Sequence, residues 1–432
     1  MNLGWMTKPA VLILGPVLVS LVVWSIPGGE SYALRGFTVR SDLTFSSFAV
    51  LLTWYVACLA VFVAGSKVGA SIEPSRGVSE VENTPVFERR FLAVLTVLST
   101  LGVGYAVVTA ASQVSIVDAL TTGGGNALNE ALGGELGPLT LRYTAAIAAP
   151  VAIVLARRGV ASWATAAYNV VLLLLSSSFS SRLSLILAAV VLVVLTARID
   201  GGLRVSRKVV VGGLVVGYIA LSLLNFSRNS QFYEANGVTS ITAMNNYQFA
   251  AYLGAPAQVS IGVSDALLTS DYFVGSTSPA YLAAVPTFLQ PGDVNVVGER
   301  MAGYGGDVDV ARSLTTNSAF ADVVTNYGLL GTLFALIPLL VVGVVWGHAM
   351  RYNGLVVVAA GVVSYGLAEL WRIYLFPQGI FVYLLLATLI AAVLASSAAR
   401  TAASHESRRV SIRTDRAGGP RDVGPSPASR TD

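Results

Sequence analysis

Arginines at the borders of long apolar segments are the residues of this sequence best suited to chemistry. Arg142 and Arg182 each precede such a segment, whereas Arg228 and Arg372 each follow one. A guanidinium group is planar and permanently charged, and its fork of donors binds a phosphate through two hydrogen bonds. For any single border arginine, contact with ordinary phospholipid headgroups is the simpler interpretation. The arginines for which we favour a role at a phosphate-bearing substrate are Arg182, Arg228, Arg300 and Arg312.

Three carboxylates on the same predicted side of the membrane could take a proton from an attacking hydroxyl group. They are Glu299, Asp322 and Glu369, and the sequence does not choose among them. Glu369 also precedes Arg372 by three residues, so the two side chains share a face of a helix. A structural ion pair is the simpler interpretation of this spacing. The alternative is that Glu369 orients Arg372 at a site.

Metal-dependent and histidine-dependent chemistry find little support in the sequence. Asp307 and Asp309 have the spacing that nucleotide-sugar transferases use to hold a metal ion. They are predicted to lie outside the cell, where nucleotide sugars are absent, so we predict no metal site. Both histidines, His348 and His405, are predicted on the cytoplasmic side, which excludes a Ser-His-Asp arrangement on the outer side.

Aromatic residues are frequent between positions 226 and 304. Their rings could stack on the faces of sugars, but aromatic rings also gather at membrane interfaces as a matter of course. Both interpretations stay open. Tyr233 and Tyr247 are the members of this group that we assign to the substrate.

The elements that must position all these residues are membrane spans. Of 432 residues, 54% are hydrophobic and only 12% are charged, and a soluble protein this apolar could not cover its surface with polar groups. Because a span needs about 20 apolar residues, the sequence predicts an all-α, polytopic membrane protein with about 10 transmembrane helices, in a range of 10–12. The predicted spans are 9–27, 44–66, 91–112, 139–156, 161–179, 182–198, 208–225, 327–348, 354–371 and 376–398.

The distribution of Lys and Arg predicts the orientation of these spans. With the N-terminus in the cytoplasm, 19 of the 27 basic residues lie in inside segments and the other 8, all Arg, lie outside. The net charge of +4 therefore reflects topology and does not indicate nucleic acid. This orientation makes 226–326 a large outer loop within one helical membrane domain, 1–399. Residues 400–432 form a disordered cytoplasmic tail along the anionic inner leaflet.

Two stretches and the overall layout resemble the O-antigen and exopolysaccharide repeat-unit polymerases. Residues 176–185 read Ser-Ser-Ser-Phe-Ser-Ser-Arg-Leu-Ser-Leu and run straight into a span, like the Ser/Gly-Arg entry of that family. Residues 316–331, Thr-Asn-Ser-Ala-Phe-Ala-Asp-Val-Val-Thr-Asn-Tyr-Gly-Leu-Leu-Gly, are similar to the segment that leads into a later span. Ten or more spans with one large outer loop in the second half are also typical of the family.

The resemblance implies a membrane glycosyltransferase bundle of the GT-C type in the plasma membrane. Such an enzyme joins polyprenyl-pyrophosphate-linked oligosaccharides on the outer face, with no metal, nucleotide or other cofactor. The implied partners besides that substrate are membrane lipid and a polysaccharide chain-length regulator. The residues given catalytic roles are Arg182, Arg228, Arg312, Glu369 and Asp322. Those given substrate contacts are Arg142, Arg300, Arg372, Tyr233 and Tyr247.

Three other functions stay open at this point. O-antigen ligases use a histidine in the outer loop, and its absence here favours a polymerase over a ligase-type transferase. A polysaccharide flippase or permease would place polar groups within the spans, yet the predicted span interiors hold no Asp, Glu, Lys, Arg or His, apart from Glu369 near an outer end. A membrane scaffold without catalysis would not bring arginines together in space.

Overall fold

In the computed structural model of the chain, the described residues are all-α, with no strand among them. The described ranges are 4–26, 42–115, 137–179, 183–199, 232–269, 278–290 and 318–417, and the described single positions are 132, 212, 215, 218, 219, 222, 226 and 230.

Eleven of the described helices are longer than one or two turns and carry labels here. They are α1 (Pro9–Ser25), α2 (Phe45–Ser71), α3 (Pro85–Gln113), α4 (Ala145–Arg157), α5 (Trp163–Phe179), α6 (Leu183–Ile199), α7 (Ile241–Thr269), α8 (Ala319–Phe334), α9 (Leu336–Ala349), α10 (Val358–Glu369) and α11 (Gly379–Ala417). Short helices lie at Gly4–Thr7, Arg76–Ser79, Pro138–Thr144, Ala280–Ala284, Thr287–Leu289 and Leu355–Val357. Nine of the ten predicted spans contain helices. The remaining one, 208–225, lies mostly outside the described residues.

Four stretches of the described helices are long and apolar enough to cross a membrane, and α8 with α9, which meet at a bend of 56°, make a fifth if they form one broken span. The four are Phe45–Ser71, Pro85–Gln113, Pro138–Arg157 and Gly379–Ser404. The shorter apolar helices are Pro9–Ser25, Trp163–Phe179, Leu183–Ile199 and Leu355–Glu369. The chain is thus an all-α protein with helices suited to a membrane, and the count of ten spans stays a prediction.

Helices α2 and α9 pack closely against each other, and glycines on both helices allow this close approach. A Cβ atom at Gly65 would lie 3.2 Å from Cα of Gly343, and one at Gly69 would lie 2.8 Å from the backbone nitrogen of His348. Small residues of this kind let two backbones approach where lipid offers no hydrophobic drive for association. The glycines therefore fix the distance between these two helices.

Helix α7 packs along α1, although it belongs to the segment 226–326 that the sequence predicts as an outer loop. Ser20 Oγ donates to the carbonyl oxygen of Leu253 at 2.5 Å, and Trp24 Nε1 donates to Oε1 of Gln258 at 2.7 Å. Because both partners advance together along the chain, α7 runs in the same direction as α1. The segment thus contributes a long helix to the bundle, and its side of the membrane stays a prediction.

Helix α11 continues to Ala417, past position 400, where the sequence predicts the start of a disordered tail. Ala and Arg recur between 398 and 409, with Glu406 among them, and all three residue types are good helix formers. Their propensity extends the helix beyond its apolar part. Positions 418–432 lie outside the described residues.

Candidate anion-binding site

The backbone of Arg142 is fixed by two neighbouring helices. Arg142 lies in the 3-10 helix Pro138–Thr144, directly before α4. Gly102 of α3 lets this segment sit against it, because a Cβ at Gly102 would lie 2.7 Å from Cβ of Leu141 and closer still to the backbone nitrogen of Arg142. Ser176 Oγ, near the end of α5, donates to the carbonyl oxygen of Arg142 at 3.3 Å. The position of the arginine is thereby set by α3 and α5.

The guanidinium group of Arg142 is buried with part of its hydrogen-bonding capacity unused. The residue is only 6% exposed. Nη2 donates to the hydroxyl of Tyr143 at 3.2 Å, and Cζ lies 5.0 Å from the centroid of the same ring. Nε and Nη1 are buried and have no hydrogen-bond partner within the described part of the chain. Since unsatisfied buried donors are costly, these two nitrogens are suited to receive an anion.

A second buried arginine carries its own counterion. Nε and Nη2 of Arg372 both donate to Oε2 of Glu369, at 2.9 and 2.6 Å, and both residues are buried. The i, i+3 pair predicted from the sequence therefore forms. On another side, Cζ of Arg372 lies 5.9 Å from the ring centroid of Tyr252 on α7. The carboxylate and the ring together hold this guanidinium in one orientation.

Tyr365 lies near both the Glu369–Arg372 pair and Tyr143. It lies one turn before Glu369 on α10 and is buried. Glu369, Arg372 and Tyr143 are all near enough to act electrostatically on its hydroxyl, and Tyr143 in turn contacts Arg142. We call Arg142, Tyr143, Tyr365, Glu369 and Arg372 the arginine cluster. It holds two guanidinium groups and one carboxylate, so it carries a net positive charge that a bound anion would balance.

A hydrogen bond between two hydroxyl groups joins the segment that carries Arg142 to α11. Thr144, the last residue of the 3-10 helix, and Tyr383 of α11 hydrogen-bond to each other through their hydroxyls. Helix α11 is thereby tied to the segment that carries Arg142. In such a buried site a charge-assisted hydrogen bond is stronger than in water, so the cluster can stabilise negative charge on a phosphate or pyrophosphate group.

The other arginines predicted for the site cannot be placed against this cluster. Arg182, Arg228, Arg300 and Arg312 lie outside the described residues, as do Glu299 and the Asp307/Asp309 pair. The described residues hold no group of three or more His, Cys, Asp or Glu that could bind a metal ion.

Asp322 is buried in the first turn of α8. The carbonyl oxygen of Asp322 accepts from Nδ2 of Asn326 at 2.5 Å. The role of Asp322 as a catalytic base stays a prediction.

Tyr233 and Tyr247, both predicted to bind sugar, lie against each other. Their rings are stacked with centroids 6.5 Å apart and planes 15° apart, and Phe232 meets Tyr233 edge-on. Tyr233 is buried. The structure thus pairs these two rings, and their contact with sugar stays a prediction. The ring of Tyr252 lies beside the guanidinium of Arg372.

Sequence reasoning gave no site role to Tyr143, Tyr365 or Tyr252. A signal for Tyr365 was present, since 365, 369 and 372 have the i, i+4, i+7 spacing of one helix face. Tyr252 carries no such signal, because its contact with Arg372 joins helices far apart in the sequence.

Comparison with known proteins gives no match: no family model, no curated protein and no solved structure matches the chain. The described residues are all-α, with helices suited to a membrane. Their candidate anion-binding residues are Arg142, which has unpartnered buried donors, and Arg372, which is paired with Glu369.

Proposed function

We propose that the chain is a glycosyltransferase that joins polyprenyl-pyrophosphate-linked oligosaccharides on the outer face of the plasma membrane. The observation that carries this proposal is the buried guanidinium of Arg142, which has two donors without a partner among the described residues, together with the buried Glu369–Arg372 pair. A pyrophosphate leaving group supplies the oxygen atoms that such donors bind. In the same proposal, the helices form a GT-C-type bundle of about ten spans.

The predicted orientation supports the outer face. With both termini in the cytoplasm, the excess of basic residues lies inside. The end of α10 and the start of the 3-10 helix Pro138–Thr144 then lie on the outer side. The arginine cluster would therefore meet a lipid pyrophosphate at the level of the outer headgroups.

The proposed reaction needs no second energy source. A hydroxyl of the acceptor sugar attacks the anomeric carbon of the donor, and the bond from that carbon to the pyrophosphate oxygen breaks. The lipid pyrophosphate leaves with the electron pair, and Arg142 and Arg372 stabilise the charge that develops on it. A carboxylate takes the hydroxyl proton. Because Glu369 already accepts two bonds from Arg372, we favour Asp322 or Glu299 for that step and assign Glu369 to holding Arg372.

Reconstitution of the purified chain in liposomes tests the proposal. With a lipid-pyrophosphate oligosaccharide as donor and acceptor, the protein should lengthen the glycan. Arg142→Ala should lower the rate by about a hundredfold, the scale seen when one donor to a developing oxyanion is removed. Arg142→Lys should recover little, since an ammonium group cannot replace the fork. The control is Arg90→Ala, at an exposed position of α3; equal rates for Arg142→Ala and Arg90→Ala would remove Arg142 from the mechanism.

A flippase is the second candidate, and the bend between α8 and α9 favours it. Transporters often place their binding sites at broken helices, and these two helices meet at 56°. Gln258 is also fully buried in α7, which gives the bundle a polar group that a passage could use. Movement of the lipid-linked sugar across the liposome bilayer without lengthening would favour this function over the polymerase.

A further inference from the structure

An apolar groove with a volume of about 160 Å³ lies between α1, α2 and α7. Leu18 of α1 and Leu52 of α2 line it, and they are 61% and 47% exposed. Ala257 of α7 and Trp371 lie along the same groove. The groove is therefore open toward the outside of the bundle, where hydrocarbon chains lie in a membrane.

The two serine hydroxyls along the groove are already used within the protein. Ser20 Oγ donates to the carbonyl oxygen of Leu253. Ser260 Oγ donates to the carbonyl oxygen of Pro256 at 2.7 Å and contacts Ser318 Oγ at 2.6 Å. A ligand in the groove thus meets carbon and satisfied hydroxyls, which suits a hydrocarbon chain and not a headgroup.

The groove meets the arginine cluster at two points. Trp371 lines the groove, and the next residue, Arg372, belongs to the cluster. On α7, Pro256 lines the groove and lies one turn after Tyr252, whose ring faces the guanidinium of Arg372. A molecule with a charged head and a hydrocarbon tail could therefore occupy both places at once.

We propose that this groove binds the isoprenoid chain of the lipid-linked donor, next to its pyrophosphate in the arginine cluster. This inference rests on the proposed function and adds the second half of the donor site. The arginine cluster selects the charge of the donor, and the groove selects a chain that emerges beside it. Ordinary phospholipids share the hydrocarbon chemistry but carry a different head, so the two sources can be separated by competition.

Photocrosslinking tests the groove without relying on activity. The probe is a long-chain isoprenyl pyrophosphate with a benzophenone in the chain, added to the full-length protein in liposomes. Mass spectrometry should find the label on α1, α2 or α7 at the groove. Unlabelled isoprenyl pyrophosphate should compete with the probe, and phosphatidylglycerol should not. Equal competition by phosphatidylglycerol, or label spread over all lipid-facing helices, would overturn the proposal.

Filling the groove provides the matched comparison. Leu18→Trp and Leu52→Trp place a large ring in the groove, whereas Leu101→Trp and Leu174→Trp make the same change at positions of α3 and α5 that are 58% and 54% exposed. The groove variants should lower crosslinking about tenfold and raise KM for a long-chain donor about tenfold, since part of one buried chain is lost. Both controls, and a single-prenyl donor with any variant, should show no change.

The outcomes separate this inference from the proposed function. If the probe labels the groove and unlabelled isoprenyl pyrophosphate competes, but no glycan is lengthened, the lipid site is supported and the polymerase function is refuted. Glycan lengthening without label at the groove keeps the polymerase and removes the lipid site. If the Trp controls are as impaired as the groove variants, the groove has no special role.

Discussion

Gly102→Ala tests how the 3-10 helix that carries Arg142 is held against α3. A Cβ at position 102 would lie 2.7 Å from Cβ of Leu141, while ordinary contact begins at 3.4 Å, so the segment must move by at least 3.4 − 2.7 = 0.7 Å. Overpacking of this kind costs about 1–3 kcal/mol. Replacing Gly by Ala within a helix stabilises the fold by only about 0.5–1 kcal/mol, which offsets part of this cost. The variant should therefore be less stable than the wild type.

If the proposed function holds, the same displacement should also reduce activity, because it would move Arg142 relative to the proposed pyrophosphate leaving group. Misplacing a catalytic group by about 1 Å costs about a hundredfold in rate, so we expect a loss on the order of tenfold to a hundredfold. The assays are thermal unfolding in detergent and glycan lengthening in liposomes.

Gly104→Ala is the control for both assays. It lies two residues further along α3, and a Cβ there would meet nothing within 4 Å. It should keep full activity and gain slightly in stability. If Gly102→Ala matches Gly104→Ala in both assays, the close packing of the 3-10 helix on α3 does not position Arg142.

Three further predictions concern buried charges and topology. Glu369→Gln should lower the free energy of unfolding by about 3 kcal/mol, because buried Arg372 loses its counterion; an unchanged denaturation midpoint would contradict this. Burial raises the pKa of Glu82 above its ordinary value of 4.5, so its contribution to stability is full below pH 4.5 and is lost as the pH rises through the raised value. Glu82→Gln should remove that loss, and identical pH profiles of unfolding for the variant and the wild type would refute it. Ser404→Cys should resist a membrane-impermeant thiol reagent in intact cells, and labelling from outside would reverse the topology.

The positions of the helices were largely predictable, because an apolar run of about 20 residues has one stable form in a membrane. Their ends were less so. The predicted span 327–348 begins inside α8, which starts at Ala319, since the side chain of Ser318 caps the helix there. The apolar run continues through the bend between α8 and α9, so hydropathy does not predict the bend.

Helix α7 was predicted as part of a loop for a physical reason. Its polar residues lower its hydropathy, and hydropathy alone assigns such a segment to water. Gln258 nevertheless lies buried, because Trp24 of α1 donates a hydrogen bond to it. That partner is 234 positions away in the chain, so no local sequence pattern predicts the contact.

The candidate site was likewise predictable only in part from the sequence. The Glu369–Arg372 pair could be predicted because three residues of spacing place both side chains on one helix face. The buried, partly unpartnered guanidinium of Arg142 could not be predicted, since its position depends on Gly102 and Ser176, which hold its segment from other parts of the chain. Local spacing therefore predicts the ion pair, whereas the position of Arg142 depends on tertiary packing.

The central claim is that this chain lengthens lipid-linked glycans. The most direct measurement is the glycan length, by mass spectrometry, after the purified protein acts on a lipid-pyrophosphate oligosaccharide as its sole substrate, with EDTA present and without ATP or nucleotide sugar. The expected products are multiples of the starting oligosaccharide, formed at an equal rate with or without EDTA. Glycans that keep their starting length would contradict the proposed function.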